Sequence, residues 1–269
     1  MTAAALAVRV QQAADRLVTA ERERRPGEPV RGLIGDTDLA AAYAVQQRVA
    51  AVKLGAGATL VGRKIGLTSA AVQQQVGVDQ PDFGVLFDDM LYRDGQSIPI
   101  ERLLQPRAEA EIAFVLATDL DDPELPRESL AAAVAYASPA IEIVDSRVRD
   151  WDIAITDTVA DNASSGVFVL GNVRLSLDRF VPREVTMRMT SNGREVSTGT
   201  GAACLGDPLA ALWWLARTSI DVGAPLRAGE VILSGALGPL APVAAGDTLT
   251  ADISTLGRVT ITFTRGEQL

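Results

Sequence analysis

The chain has 269 residues and a formal net charge of −9, with 34 acidic against 25 basic side chains. That balance lacks the basic face that releases counterions from nucleic acid, so nucleic-acid binding is excluded as the expected role. With 48% apolar and 22% charged residues, the composition fits a globular protein with a sizeable core. No uninterrupted apolar run reaches membrane-spanning length.

The chain contains no histidine. This removes Ser-His-Asp triads, a histidine general base and His-ligated zinc. Catalysis near neutral pH is left to carboxylates, lysine, tyrosine or a hard metal ion. Cys204 is the single cysteine, so an intrachain disulfide is impossible, and the residue reads as a small buried hydrophobe. A reducing, cytoplasmic setting follows as the expectation. The opening MTAAALAVRVQQAADRL is interrupted by Arg9, Gln11 and Asp15 and lacks the signal-peptide pattern.

In chain order, residues 2–24 carry Ala, Val and Leu at helical spacing, which predicts an amphipathic helix ended by RRPGEP. A second helix is predicted to start at an Asp36-Thr37-Asp38 cap and to stop at GAGA, residues 55–58. Residues 1–58 therefore read as an N-terminal helical section, and 59–269 as a β-rich catalytic domain. In the latter, TLVGRKIGL, IEIVDS, GVFVLG, REVTMRMT, EVILSGAL, DTLTAD and VTITFT read as short strands. Asn192-Gly193 marks a hairpin. PRESLAAAVAYAS and PLAALWWLARTSIDVG are predicted as helices, the latter opened by Asp207-Pro208. The whole reads as α+β with a rolled sheet.

One strand is unusual. RAEAEIAFVL, residues 107–116, is apolar apart from Arg107, Glu109 and Glu111. Alternate strand residues share a face, so the two carboxylates project together, about 7 Å apart. At an effective dielectric near 20 they repel by roughly 2–3 kcal/mol. A divalent cation would offset this, and carboxylates are natural ligands of Mg²⁺ or Mn²⁺. The opposing reading is an edge strand with both glutamates in water. Glu142, central in AIEIV, is a candidate third ligand, and Asp145 is its rival.

Lys64, in GRKIGLTS, is a candidate to bind a substrate carboxylate or shuttle a proton, with burial lowering its pKa; alone it would read as a surface lysine. Asp79 and Asp82 lie in VGVDQPDFGVLFDDM, whose Pro and Gly mark a loop that could close over a site or merely connect. Asn162, Ser164 and Ser165 could bind a ligand or satisfy turn backbone.

These stretches, with VADNASSGVFVLG and ILSGALGP, together resemble the 2-keto-4-pentenoate hydratases of the fumarylacetoacetate-hydrolase-like superfamily. The match runs in order along nearly the whole chain. The resemblance implies a mixed β-roll with an N-terminal helical section, and Mg²⁺ or Mn²⁺ held by Glu109, Glu111 and Glu142. It implies Lys64 and Asp79 as catalytic residues, and Leu67, Asn162, Ser164 and Ser234 as substrate contacts. Phe83, Leu86 and Trp151 are candidates for setting pocket size. The implied reaction is hydration of 2-hydroxypenta-2,4-dienoate to 4-hydroxy-2-oxopentanoate in meta-cleavage of aromatic rings. It further implies a small-molecule substrate, no membrane, and a homo-oligomer, in some relatives a ring of five or ten. The hydrolase branch of the superfamily needs a histidine and is set aside. The 4-oxalocrotonate decarboxylases share the metal residues and the lysine and stand as the alternative. A non-catalytic partner subunit is the non-enzymatic one.

Overall fold

The computed structural model describes residues 2–69, 73 and 80–266. Three helices lead: α1 (Ala3–Glu23), α2 (Arg31–Ile34) and α3 (Leu39–Gly55). Asp38 caps α3, its side chain accepting from the Ala41 N–H at 2.9 Å. Val10, Ala13, Leu17, Val45 and Val49 close the helices on one another and onto Val148 and Val159 of the later chain.

From Leu60 onward strands dominate. They are β1 (Leu60–Gly66), β2 (Asp82–Phe87), β3 (Leu91–Arg93), β4 (Ser97–Pro99), β5 (Pro106–Leu116), β6 (Val134–Asp145) and β7 (Ser165–Leu170). Then follow β8 (Thr186–Ser191), β9 (Arg194–Thr200), β10 (Val231–Leu233), β11 (Ala241–Pro242), β12 (Thr248–Ile253) and β13 (Gly257–Thr264). Between them lie α4 (Leu130–Ala133), α5 (Ile155–Ala160) and α6 (Pro208–Asp221).

The larger sheet runs β2-β1-β10-β5-β6-β7-β3, with β11 also paired to β5, and the smaller β4-β13-β12-β8-β9. β1–β10, β3–β7 and β4–β13 are parallel pairs and the rest antiparallel, which is the mixed β-roll of an α+β fold. The Asn192-Gly193 hairpin joins β8 and β9, both turn residues at positive φ (51° and 79°) as such a turn requires.

The main core lies between the sheets. Ile112, Phe114, Ile141 and Ile143 meet Met189, Leu249, Ile261 and Phe263, with Leu212 and Leu215 of α6. The opposite face of the larger sheet carries Ala113, Ala140, Phe168 and Leu233 under Leu86, Phe87 and Met90. That second face also carries the candidate site.

One predicted helix is mostly strand. Within PRESLAAAVAYAS only Leu130–Ala133 is α-helical, and β6 begins at Val134. The reason is tertiary: β6 pairs along the full length of β5, from Pro106↔Asp145 to Leu116↔Val134. A ladder of that length outweighs the few tenths of a kcal/mol per residue that alanine gains in a helix.

β1 and β10 approach closely at Gly62, where an added Cβ would lie 1.9 Å from the Val231 carbonyl oxygen. Gly62→Ala is therefore expected to cost about 1–3 kcal/mol through forced backbone shifts, read as a lowered denaturant midpoint with unchanged m-value.

Candidate active site

The register of β5 and β6 builds the centre of the site. Glu109 stands directly opposite Glu142, and Glu111 opposite Ala140. Lys64 pairs with Leu233, which in turn pairs with Ala113 two residues beyond Glu111, so the lysine reaches the same face from β1. The edge-strand reading fails, because β5 is flanked by β10 and β11 on one side and β6 on the other. Glu109, Glu111 and Glu142 are 9%, 0% and 1% exposed, and Lys64 3%.

The three glutamates offer oxygens all within 4.8 Å of one another. Lys64 Nζ lies 3.2 Å from Glu142 Oε1, near enough for an ion pair although not aligned as a hydrogen bond. Glu111 Oε2 accepts the Gly235 N–H at 2.7 Å. Glu111 Oε1, Glu142 Oε1 and Asp82 Oδ1 are buried with no hydrogen-bond partner among the described residues. Buried carboxylate oxygens without partners are costly. An all-oxygen donor set with free lone pairs fits a hard divalent cation.

The electrostatics agree. Burial, followed by the neighbouring Glu142, raises the Glu109 carboxyl to about 7. Burial and the same crowding raise Glu111 well above the usual range, and burial raises Glu142. The expectation of a lowered Lys64 pKa is corrected here. Burial does pull it down, but Glu142, Asp82, Glu109 and Glu111 push it up, and the net direction is upward. Lys64 is an ammonium.

A cavity of about 230 Å³ opens over this face. Lys64, Leu67, Glu109 and Ser164 line it, as the sequence led one to expect, and so does Trp151. Asp82, read above as a loop carboxylate, is instead the first residue of β2 and 1% exposed. Its Oδ2 accepts from Thr158 Oγ1 at 3.2 Å, and Thr158 meets Ser164 Oγ at 3.3 Å. An added Cβ on Gly66 would come within 2.2 Å of Asp82 Oδ1 and 3.4 Å of Lys64 Nζ, so this glycine leaves room for the carboxyl beside the lysine. Sequence alone could have favoured Asp82 over its neighbours only through the apolar strand that follows it.

Other expected residues lie elsewhere. Asp79 falls outside the described residues. Asn162 is committed to backbone: its amide accepts from the Val85 N–H at 2.8 Å and donates to the Val85 carbonyl at 2.9 Å. Ser234 is fully buried, accepting from the Ile112 N–H and donating to the Gly235 carbonyl. Both hold the site's framework and do not face the cavity. Asp145 accepts from the Leu104 and Gln105 N–H groups, being three residues from Glu142 and so on the other face. Phe83 stacks on Tyr43 and Leu86 packs beneath the sheet. Neither lines the cavity.

Leu67, Asp150, Trp151, Ala163 and Ser164 all line the cavity with φ between 51° and 57°. Left-handed backbone costs a non-glycine residue about 1–2 kcal/mol. Such strain clusters where a surrounding structure holds functional groups in place.

Residues 52–264 match the family model of the fumarylacetoacetate hydrolase C-terminal region. The chain is 54% identical to the TodF product hydratase of Pseudomonas putida F1 over 95% of this chain and 96% of that protein. It is 49% identical to the 2-keto-4-pentenoate hydratase of Paraburkholderia xenovorans over 94% of each. Among solved structures it resembles the 4-oxalocrotonate decarboxylase of Pseudomonas putida G7, complexed with magnesium and adipate. That match has a TM-score of 0.90 and 34% identity, covering 94% of this chain and 97% of that one. The chain belongs to the fumarylacetoacetate hydrolase family, among its 2-keto-4-pentenoate hydratases.

Two outcomes are expected for the glutamate centre. Glu111→Gln keeps an acceptor for the Gly235 N–H but removes one charge. Mg²⁺ affinity should fall by more than about tenfold, with Tm in EDTA unchanged or raised because repulsion is relieved. A ligand carboxyl must lose its proton before it binds metal, so Mg²⁺ affinity of the wild type should climb as pH rises through about 7, with proton release on binding. Calorimetry in buffers of different ionisation enthalpy measures both.

Proposed function

We propose that this chain is a divalent-metal-dependent hydro-lyase that converts 2-hydroxypenta-2,4-dienoate to 4-hydroxy-2-oxopentanoate. The observation that carries the reading is the buried centre of Glu109, Glu111 and Glu142 with Lys64 against it, bordering through Glu109 and Lys64 a cavity of small-molecule size. The hydratase names of relatives at 49–54% identity support it over decarboxylation, the activity named for the structural relative at 34%.

In this reading Glu109, Glu111 and Glu142 hold Mg²⁺ or Mn²⁺. Once held there, the ion would supply Lewis-acid stabilisation of negative charge developing on the substrate. The reaction then needs the 2-hydroxyl to lose its proton and C5 to gain one, which turns the dienol into a conjugated 2-oxo-3-enoate. Addition of water follows, with hydroxyl to C4 and a proton to C3. Asp82 suits the protonation of C5: its buried Oδ1 has no hydrogen-bond partner among the described residues, and burial raises its pKa, which favours the acid form that can donate a proton. Thr158 fixes the other oxygen and is itself held by Ser164. Lys64, beside Asp82, returns positive charge to a site crowded with carboxyls and orients the carboxyl that passes the proton. Leu67, Ala163 and Trp151 give the hydrocarbon end an apolar wall. The reading includes a cytoplasmic homo-oligomer. Val8, Val52 and Leu54, all about half exposed on α1 and α3, offer apolar surface for its contacts.

The test follows loss of dienol absorbance, first in EDTA and then with added Mg²⁺ or Mn²⁺, with the product identified by mass. Metal-dependent loss with gain of one water supports the reading, whereas loss of CO₂ from 4-oxalocrotonate with no turnover of the dienoate overturns it. Lys64→Ala and Asp82→Asn should each lower kcat/KM by more than about 100-fold while Mg²⁺ still binds. Wild-type kinetics in either variant would remove that residue from the mechanism.

A further inference from the structure

We propose that Arg107 binds the substrate's carboxylate and so fixes which end of the molecule faces Lys64 and Asp82. The inference rests on the cavity over the glutamates being the substrate site. Strand alternation puts Arg107 on the same face of β5 as Glu109 and Glu111, one same-face step of about 7 Å before Glu109. Arg107 lines the cavity, whose only other basic lining residue among those described is Lys64.

The two cations are in different states. Lys64 is already against Glu142 and is surrounded by carboxyls. Among the described residues, the Arg107 side chain has neither an ion pair nor a hydrogen bond. Its pKa is lowered by burial alone, with no carboxylate opposing it. Asp150 also lines the cavity but forms no ion pair with it. The guanidinium lies over the Trp151 ring, 4.5 Å from its centroid. That ring is pinned in turn, its Nε1–H donating to the Gln105 carbonyl at 3.0 Å. The ring contact holds the guanidinium in place while its N–H groups have no protein partner among the described residues, leaving them for the paired hydrogen bonds by which arginine grips a carboxylate.

Charge points the same way. Glu109 and Asp82 line the cavity, Glu111 and Glu142 cluster against Glu109 behind them, and a dienoate adds a further carboxylate. Arg107 is the lining cation not already balanced by a carboxylate. It also stands between this cavity and a neighbouring one of about 540 Å³, whose lining it shares together with Leu240.

The probes are 2-oxopentanoate and its primary amide, titrated calorimetrically against wild type, Arg107→Met and Arg107→Lys, with Mg²⁺ and with EDTA. Wild type should bind the acid at least about tenfold tighter than the amide, the scale of one charge-assisted contact. Arg107→Met should abolish that preference by weakening the acid alone, and Arg107→Lys should restore part of it. With the dienoate, Arg107→Met should raise KM far more than it lowers kcat. Equal weakening of acid and amide would make Arg107 a structural prop, and unchanged affinity for both would remove it from binding; either overturns the proposal. If affinity falls only for a diacid such as 2-oxoadipate, Arg107 reads a distal carboxylate and the proposal is wrong. The metal dependence of binding reports on the glutamate centre independently, so failure of that assignment is distinguishable.

Discussion

Glu109 faces Glu142 across a fully formed antiparallel ladder, and Glu111 is one same-face step away. Within 4.8 Å, at an effective dielectric near 20, each ionised pair repels by about 3–4 kcal/mol. One lysine on the same face offsets only part of this. The remaining charge must be met by protons or by a cation, and the raised carboxyl pKa values record that demand. The rest of the site is arranged around it: Gly235 gives Glu111 an N–H, and Gly66 makes room for Asp82 beside Lys64.

The framework that holds such a cluster is stiff. β5 and β6 are the two longest strands, and their other face is buried in the main core against the second sheet. The strained turn carrying Asn162, Ala163 and Ser164 is tied at both ends. Asn162 is bonded to Val85 of β2, and Arg147 forms a buried ion pair with Asp161 and donates to the Ser165 carbonyl. Breaking one side of a buried pair is strongly destabilising, because the remaining charge is left uncompensated. The turn therefore keeps Ser164 against Thr158, and Thr158 against Asp82.

The N-terminal helices contribute indirectly. Gln46 of α3 donates to the carbonyls of Phe83 in β2 and Val159 in α5. Asp157 of α5 accepts from the Val30 and Arg31 N–H groups. Both elements that carry the Asp82–Thr158 contact are thus braced by the helical section.

Much was legible in the sequence. The absence of histidine removed whole classes of chemistry, and period-two alternation put Glu109 and Glu111 on one face before any fold was known. Alternation equally placed Arg107 on that face and could have set Asp145 apart from Glu142. The hairpin at Asn192-Gly193 and the cap at Asp38 followed from local rules that the fold obeys. What only the tertiary structure decided was pairing between distant segments. Strand neighbours bring Glu142 and Lys64 to the glutamates, although 33 and 45 residues separate them from Glu109. Pairing with β5 turned an alanine-rich helical pattern into β6, and buried Asp82 as the start of a strand. It also committed Asn162 and Ser234 to backbone, because local patterns encode which face a residue takes but not which polar groups meet there.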